Sequence, residues 1–144
     1  MSKKKILIIN GPNINLLGNR EKSIYGNISL EELNKRLKVY GKKINCNVSF
    51  FQSNEEGKII EKIQKSMNIK DAIIINAAGY THTSVAILDS LRAFEGLIYE
   101  VHISNIYNRE IYRRKSYISE ISNGVICGLG YKGYEIALDA IALN

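Results

Sequence analysis

Five short runs of β-branched and other apolar residues recur along the chain, separated by stretches with helical spacing. This alternation limits the possible folds more than any other feature. KKILIIN (4–10), CNVSFF (46–51), DAIIINA (71–77), IYEVHIS (98–104) and GVICGL (124–129) read as strands. SLEELNKRLKVYGKKI (29–44) carries Leu30, Leu33 and Leu37 on one helical face, and Ser29 with Glu32 three residues on forms a capping-box pattern. EGKIIEKIQKSM (56–67), TSVAILDSLRAF (83–94) and YEIALDAIAL (134–143) read as further helices. Apolar strands alternating with helices predict an α/β domain whose parallel sheet is covered on both faces, with right-handed crossovers. A chain of 144 residues is the size of one such domain, and no repeat, low-complexity segment or linker divides residues 1–144.

Composition excludes several other classes. Hydrophobic residues at 45% and charged residues at 24% match a soluble globular protein and not a disordered tail. MSKKKILIINGPN places lysines before apolar residues, but ILII is too short for a signal-peptide core. No stretch nears the roughly 18 apolar residues of a membrane span, so a cytoplasmic protein without membrane contact is expected. Cys46 and Cys127 match no ligand or redox spacing and are expected to be buried free thiols. The formal charge of +6 favours acidic partners. The lysines are spread along the chain, however, and a nucleic-acid-binding alternative lacks any stacking motif of the RRM type.

In a parallel α/β sheet, ligands bind beyond the carboxyl ends of the strands. The segments there are NGPNINLLGNREKSIYG, QSNEEG, NAAGYTHTS, HISNIYNRE and GLGYKG, which hold most of the asparagines and both histidines. GLGYKG (128–133) imitates a dinucleotide fingerprint, but only 11 residues follow Gly133, so a tight turn into the last helix is expected. GNREKSIYG (18–26) has no hydrophobic period and no room for a regular element, yet holds Arg20 and Tyr25 between two glycines. A guanidinium about 4 Å from a phenolate contributes roughly 4 kcal/mol at an effective dielectric near 20. Arg20 could therefore make Tyr25 a tyrosinate base, with Arg109 or Arg113 as a second cation or as the grip on an anionic substrate.

Glu100 and His102 share a strand face by period-two geometry. A carboxylate buried there orients its histidine, which makes proton chemistry the first reading. A metal triad of His82, His102 and Glu100 is the alternative. Asn10, Asn13 and Asn15 surround Gly11-Pro12, where an amide could support an enolate oxygen, and the HISN backbone (102–105) could bind a carboxylate.

NGPNINLLGNRE…YG, QSNEEG, NAAGYTHTSVAILD, EVHISN with NREIYRRKSY, and GVICGLGYKGYEIAL together resemble type II dehydroquinase, over nearly the whole chain and in family order. The resemblance implies a flavodoxin-like three-layer sandwich with strand order 2-1-3-4-5, assembled as a dodecamer of trimers, and trans dehydration of 3-dehydroquinate through an enolate without metal or cofactor. It implies Tyr25 as the base, Arg20 as its activating partner on a mobile lid at about 18–26, and His102 as the general acid oriented by Glu100. Asn13 corresponds to the residue that supports the enolate through a water. Asn76, His82 and Arg113 correspond to groups on substrate hydroxyls, the backbone of Ile103 and Ser104 to the carboxylate site, and Asp89 to a residue supplied by a neighbouring subunit. Lys22, Tyr107 and Ala77 depart from the family pattern, which usually has proline after the lid Arg-Glu, often histidine at the position of Tyr107, and often proline at that of Ala77.

Overall fold

The computed structural model describes residues 2–19 and 21–144. Among these residues one sheet contains five strands: β1 (Lys4–Asn10), β2 (Cys46–Gln52), β3 (Ala72–Asn76), β4 (Leu97–His102) and β5 (Gly124–Cys127). They are parallel throughout and lie in the order β2-β1-β3-β4-β5, the flavodoxin-like topology expected from the resemblance. The principal helices are α2 (Leu30–Lys43), α3 (Glu56–Ser66), α4 (Val85–Arg92) and α5 (Lys132–Ala142). A single helical turn, α1, spans Lys22–Tyr25, where the sequence predicts no regular element. Four residues are too few to show a helical period, so pattern alone could not have revealed it.

Alternate residues of the central strands feed two separate cores, because side chains on a strand point to opposite faces. Ile6 and Ile8 of β1 pack with Leu33 and Leu37 of α2 and with Ala137, Leu138 and Ile141 of α5. Leu7 and Ile9 pack on the other face with Ile59 and Ile63 of α3 and with Ile87 and Leu91 of α4. Each of Ile6, Leu7, Ile8 and Ile9 is fully buried, which accounts for the unbroken apolar run in this interior strand. Ser29 caps α2 as its sequence predicts, its hydroxyl accepting from the Glu32 N–H at 3.2 Å. The connection from β4 to β5 has no α-helix. It consists of 3₁₀ turns at Ile106–Asn108, Ile111–Arg113 and Ile118–Glu120, with Ile118 fully buried against the α3/α4 face.

The order of strands decides where a ligand can enter. The chain moves one way from β1 to β2 and the opposite way from β2 to β3, so right-handed crossovers put α2 and α3 on opposite faces. The segments leaving β1 and β3 therefore diverge and open a crevice between them. Two contacts hold its base together. The Gly11 N–H donates to the Asn76 carbonyl at 2.8 Å, and a Cβ on Gly11 would lie 2.5 Å from the Ala77 carbonyl oxygen, so only glycine fits. Tyr134 of α5, fully buried, donates its hydroxyl proton to Asn10 Oδ1 at 2.6 Å and accepts from Asn76 Nδ2 at 2.9 Å. Burial pushes that phenol well above its ordinary range, so it remains a neutral bridge.

Tyr134→Phe strands a buried acceptor on Asn10 and a buried donor on Asn76, and should cost about 1–3 kcal/mol. Urea denaturation of the two proteins measures this, and equal midpoints would contradict it.

Candidate active site

The crevice continues into a cavity of about 150 Å³ at the carboxyl ends of the strands. Each wall comes from a different part of the chain. Asn13 and Tyr25 lie beyond β1, Asn76 ends β3, His82 closes the 3₁₀ turn Ala78–His82, and His102, Ile103 and Ser104 lie at or just beyond the end of β4. Arg109 and Arg113, from the turns between β4 and β5, complete it. Eight of the residues expected at a site thus meet in one place: Tyr25, His102, Asn13, Asn76, His82, Ile103, Ser104 and Arg113. Glu100 stands behind His102. Arg20 lies outside the described residues, and Asp89 is exposed on α4 without lining the cavity. Of the three neighbouring asparagines only Asn13 lines the cavity: Asn10 belongs to the Tyr134 bridge, and Asn15 Oδ1 accepts from Gln52 Nε2 at 3.4 Å.

Among the described residues Arg109 is a cation that reaches Tyr25. Its Nη1 donates to the Tyr25 phenol oxygen at 2.7 Å and to Ser104 Oγ at 3.3 Å, and its guanidinium carbon lies 5.5 Å from the Tyr25 ring centre. A guanidinium donor stabilises negative charge on the oxygen that accepts from it. Glu21 and Glu110 approach the same guanidinium at 4.0 and 3.9 Å and help to fix it. Arg113 is held by Glu110 instead, with Nε donating to Oε2 at 2.8 Å. The sequence offers both arginines as candidates, and geometry assigns the contact to Arg109. Tyr25 ends α1, which is entered from Glu21 with φ 32° and left through Gly26 with φ 84°. Gly18, on the near side of the segment, has φ 89°, so both flanking glycines use backbone conformations that favour glycine.

Glu100 is fully buried and fully engaged. Oε2 accepts from His102 Nε2 and from the Ser116 hydroxyl at 2.7 Å, and Oε1 accepts from the Ser119 hydroxyl at 2.5 Å. Burial alone pushes the carboxyl up, but the bonds from His102, Ser119 and Ser116 outweigh it and hold the group below its ordinary value of 4.5. This arrangement is not that of a metal ligand, because its oxygens already serve three donors. Among the described residues no group of three His, Cys, Asp or Glu side chains is placed to hold a metal ion. The serines carried no signal in the sequence, since two hydroxyls in an irregular segment resemble any turn.

His82 is a different kind of histidine. Its Nδ1 lies 2.7 Å from the Lys115 carbonyl, which can only accept, so Nδ1 carries the proton and Nε2 an acceptor lone pair. Burial pushes its pKa down, and nearby His102 and Arg113 disfavour charge on it further, more than the Lys115 hydrogen bond and Glu100 favour it. The two imidazoles stack with centroids 6.5 Å apart. Elsewhere, Cys46 is buried as expected, whereas Cys127 is only partly buried because it ends the edge strand. GLGYKG forms the turn into α5, with Gly128 and Gly130 at φ 80° and 61°. No helix among the described residues is long and apolar enough to cross a membrane.

Because the folded protein holds the Glu100 carboxyl below 4.5, it contributes stability that is full above that value and lost as pH falls through the lower folded value. Glu100→Gln should therefore flatten the loss of stability below about pH 4.5, as measured by denaturation at successive pH values. An unchanged slope would contradict the assignment of an ionised Glu100.

The family model described as dehydroquinase class II matches residues 4–142. A 3-dehydroquinate dehydratase of Clostridium botulinum (strain Hall) is 55% identical over 139 residues, which are 96% of this chain and 95% of that protein. A 3-dehydroquinate dehydratase of Histophilus somni is 52% identical over 93% of this chain and 89% of its own length. The crystal structure of type II dehydroquinase from Propionibacterium acnes superposes with a TM-score of 0.96 at 38% identity, covering 99% of each chain. That from Butyrivibrio crossotus gives 0.94 at 48% identity, over 96% of this chain and 97% of the other. With this fold and a match over nearly its whole length, the chain belongs to the class II dehydroquinase family.

Proposed function

We propose that the chain dehydrates 3-dehydroquinate to 3-dehydroshikimate, the step its relatives' names point to, within the shikimate pathway that leads to aromatic amino acids. The hydrogen bond from Arg109 to the Tyr25 oxygen carries the reading, because it supports a phenolate inside a small polar cavity. Tyr25 takes a proton from C2, next to the C3 ketone, and the electron pair passes to the carbonyl oxygen as an enolate. As the enolate collapses, C1=C2 forms and the C1–O bond breaks. His102 gives its proton to the departing hydroxyl, which leaves as water. The proton on Tyr25 then returns through solvent to His102, and the cycle closes without oxidant or reductant.

The remaining residues bind and orient. Asn13 supports the enolate oxygen through a water, and the backbone of Ile103 and Ser104 holds the substrate carboxylate. Asn76 and Arg113 act as donors to substrate hydroxyls, and neutral His82 accepts through Nε2. Glu100 orients His102. Arg20 is a second cation for Tyr25 on a lid at about 18–26, whose closure sequesters the cavity from water. Asp89, exposed on α4 and away from its own cavity, serves that of a neighbouring copy in a homo-oligomer, a dodecamer of trimers.

In an assay that follows the conjugated enone formed from 3-dehydroquinate, Tyr25→Phe should retain the fold and lower kcat by about 10²–10⁴-fold. Arg109→Ala should also lower kcat, and Arg109→Lys should recover only part of it, because an ammonium lacks the planar fork. Turnover near that of the parent in Tyr25→Phe would remove the base from the scheme.

A further inference from the structure

We infer that Ser116 and Ser119 are positioning residues for proton delivery: by gripping both oxygens of Glu100 they fix the plane of its carboxylate, and through it the ring of His102. The inference rests on the reading of His102 as the general acid.

A carboxylate that orients a histidine through one oxygen can rotate about its last side-chain bond and carry the ring with it. Here that rotation is blocked. The Ser119 hydroxyl donates to Oε1 at 2.5 Å, while the Ser116 hydroxyl donates to Oε2 at 2.7 Å beside the bond from His102 Nε2. Ser116 Oγ also accepts from the Ser119 N–H at 3.2 Å, which leaves its own proton directed at Glu100. The two serines are themselves anchored. Between them lies Ile118, fully buried in the α3/α4 core, and the Tyr117 N–H donates to the Thr81 carbonyl at 3.1 Å, next to His82.

The helix-free connection from β4 to β5 supplies both hydroxyls: Ser119 lies in its last 3₁₀ turn and Ser116 two residues before that turn. Neither serine lines the cavity, so both act only through Glu100 and His102. With Nε2 occupied by Glu100, the other ring nitrogen, Nδ1, is the one left to meet a substrate. A ring that swings with a loosened carboxylate misdirects that proton, while the groups that bind substrate are untouched.

The test compares Ser119→Ala, Ser116→Ala and the double variant with Ser119→Thr and Ser116→Thr, in which the hydroxyl is kept. Each alanine variant should lower kcat about tenfold or more, a part of the 10²–10⁴ a general acid contributes, with KM within about twofold. The threonine variants should turn over close to the parent. The chain has two histidines, so ring-labelled NMR follows His102 directly. The buried Nε2 proton should exchange slowly in the parent and in the threonine variants, and should move or exchange rapidly in the double alanine variant at unchanged circular dichroism. Parental kcat in the double alanine variant, when His102→Ala has lost turnover, would overturn the inference, as would equal losses in alanine and threonine variants with the His102 proton unmoved. Failure of the underlying reading looks different. In that case His102→Ala retains turnover, and the serine variants move the His102 proton without changing kcat.

Discussion

The reversal of strand order at β1 is the constraint on which the rest of this structure depends. β1 sits between β2 and β3, and the segments leaving β1 and β3 must part because their crossovers lie on opposite faces. Any parallel sheet with this order has a crevice at that point. In this chain a glycine that tolerates no Cβ and a buried tyrosine hydroxyl tie the crevice's base. The tie leaves Asn76 facing the cavity with its amide orientation set, Oδ1 accepting from the Ala78 N–H at 3.2 Å and Nδ2 donating to Tyr134. Packing in the sheet and polarity in the site are thus a single arrangement.

Two hydrogen-bonded clusters stand on separate walls of the cavity. One wall carries a phenol oxygen that accepts from a guanidinium. The other carries an imidazole backed by a carboxylate whose burial is tolerable only because three donors satisfy it. An uncompensated Glu100 buried in an interior strand would cost several kcal/mol. Burial disfavours charge on His82, and its Nε2 carries an acceptor lone pair.

Much of this is legible in the sequence, and the reasons differ by residue. The five strands follow from runs such as Ile6–Ile9, whose burial on both faces removes polar residues altogether. The pairing of Glu100 with His102 follows from the two-residue period of a strand. Arg109 and Arg113 could not be told apart, because both lie in one basic segment and only the 3₁₀ turns decide which one faces Tyr25. α1 was hidden by its length, and Asn10 resembled a turn former until Tyr134 was seen to be its partner, 124 residues away in the chain. Ser116 and Ser119 were invisible for a similar reason: their role depends on the burial of Ile118, which brings an irregular segment under a strand it does not adjoin in sequence.

The claim that base and acid act from separate walls is tested most directly by stereochemistry. 3-Dehydroquinate carrying deuterium at one C2 position is converted by the parent protein, and the product's label is read by mass spectrometry and proton NMR. The account predicts complete loss of the hydrogen trans to the departing C1 hydroxyl and full retention of the cis one. Loss of the cis hydrogen, or scrambling between the two, would contradict it.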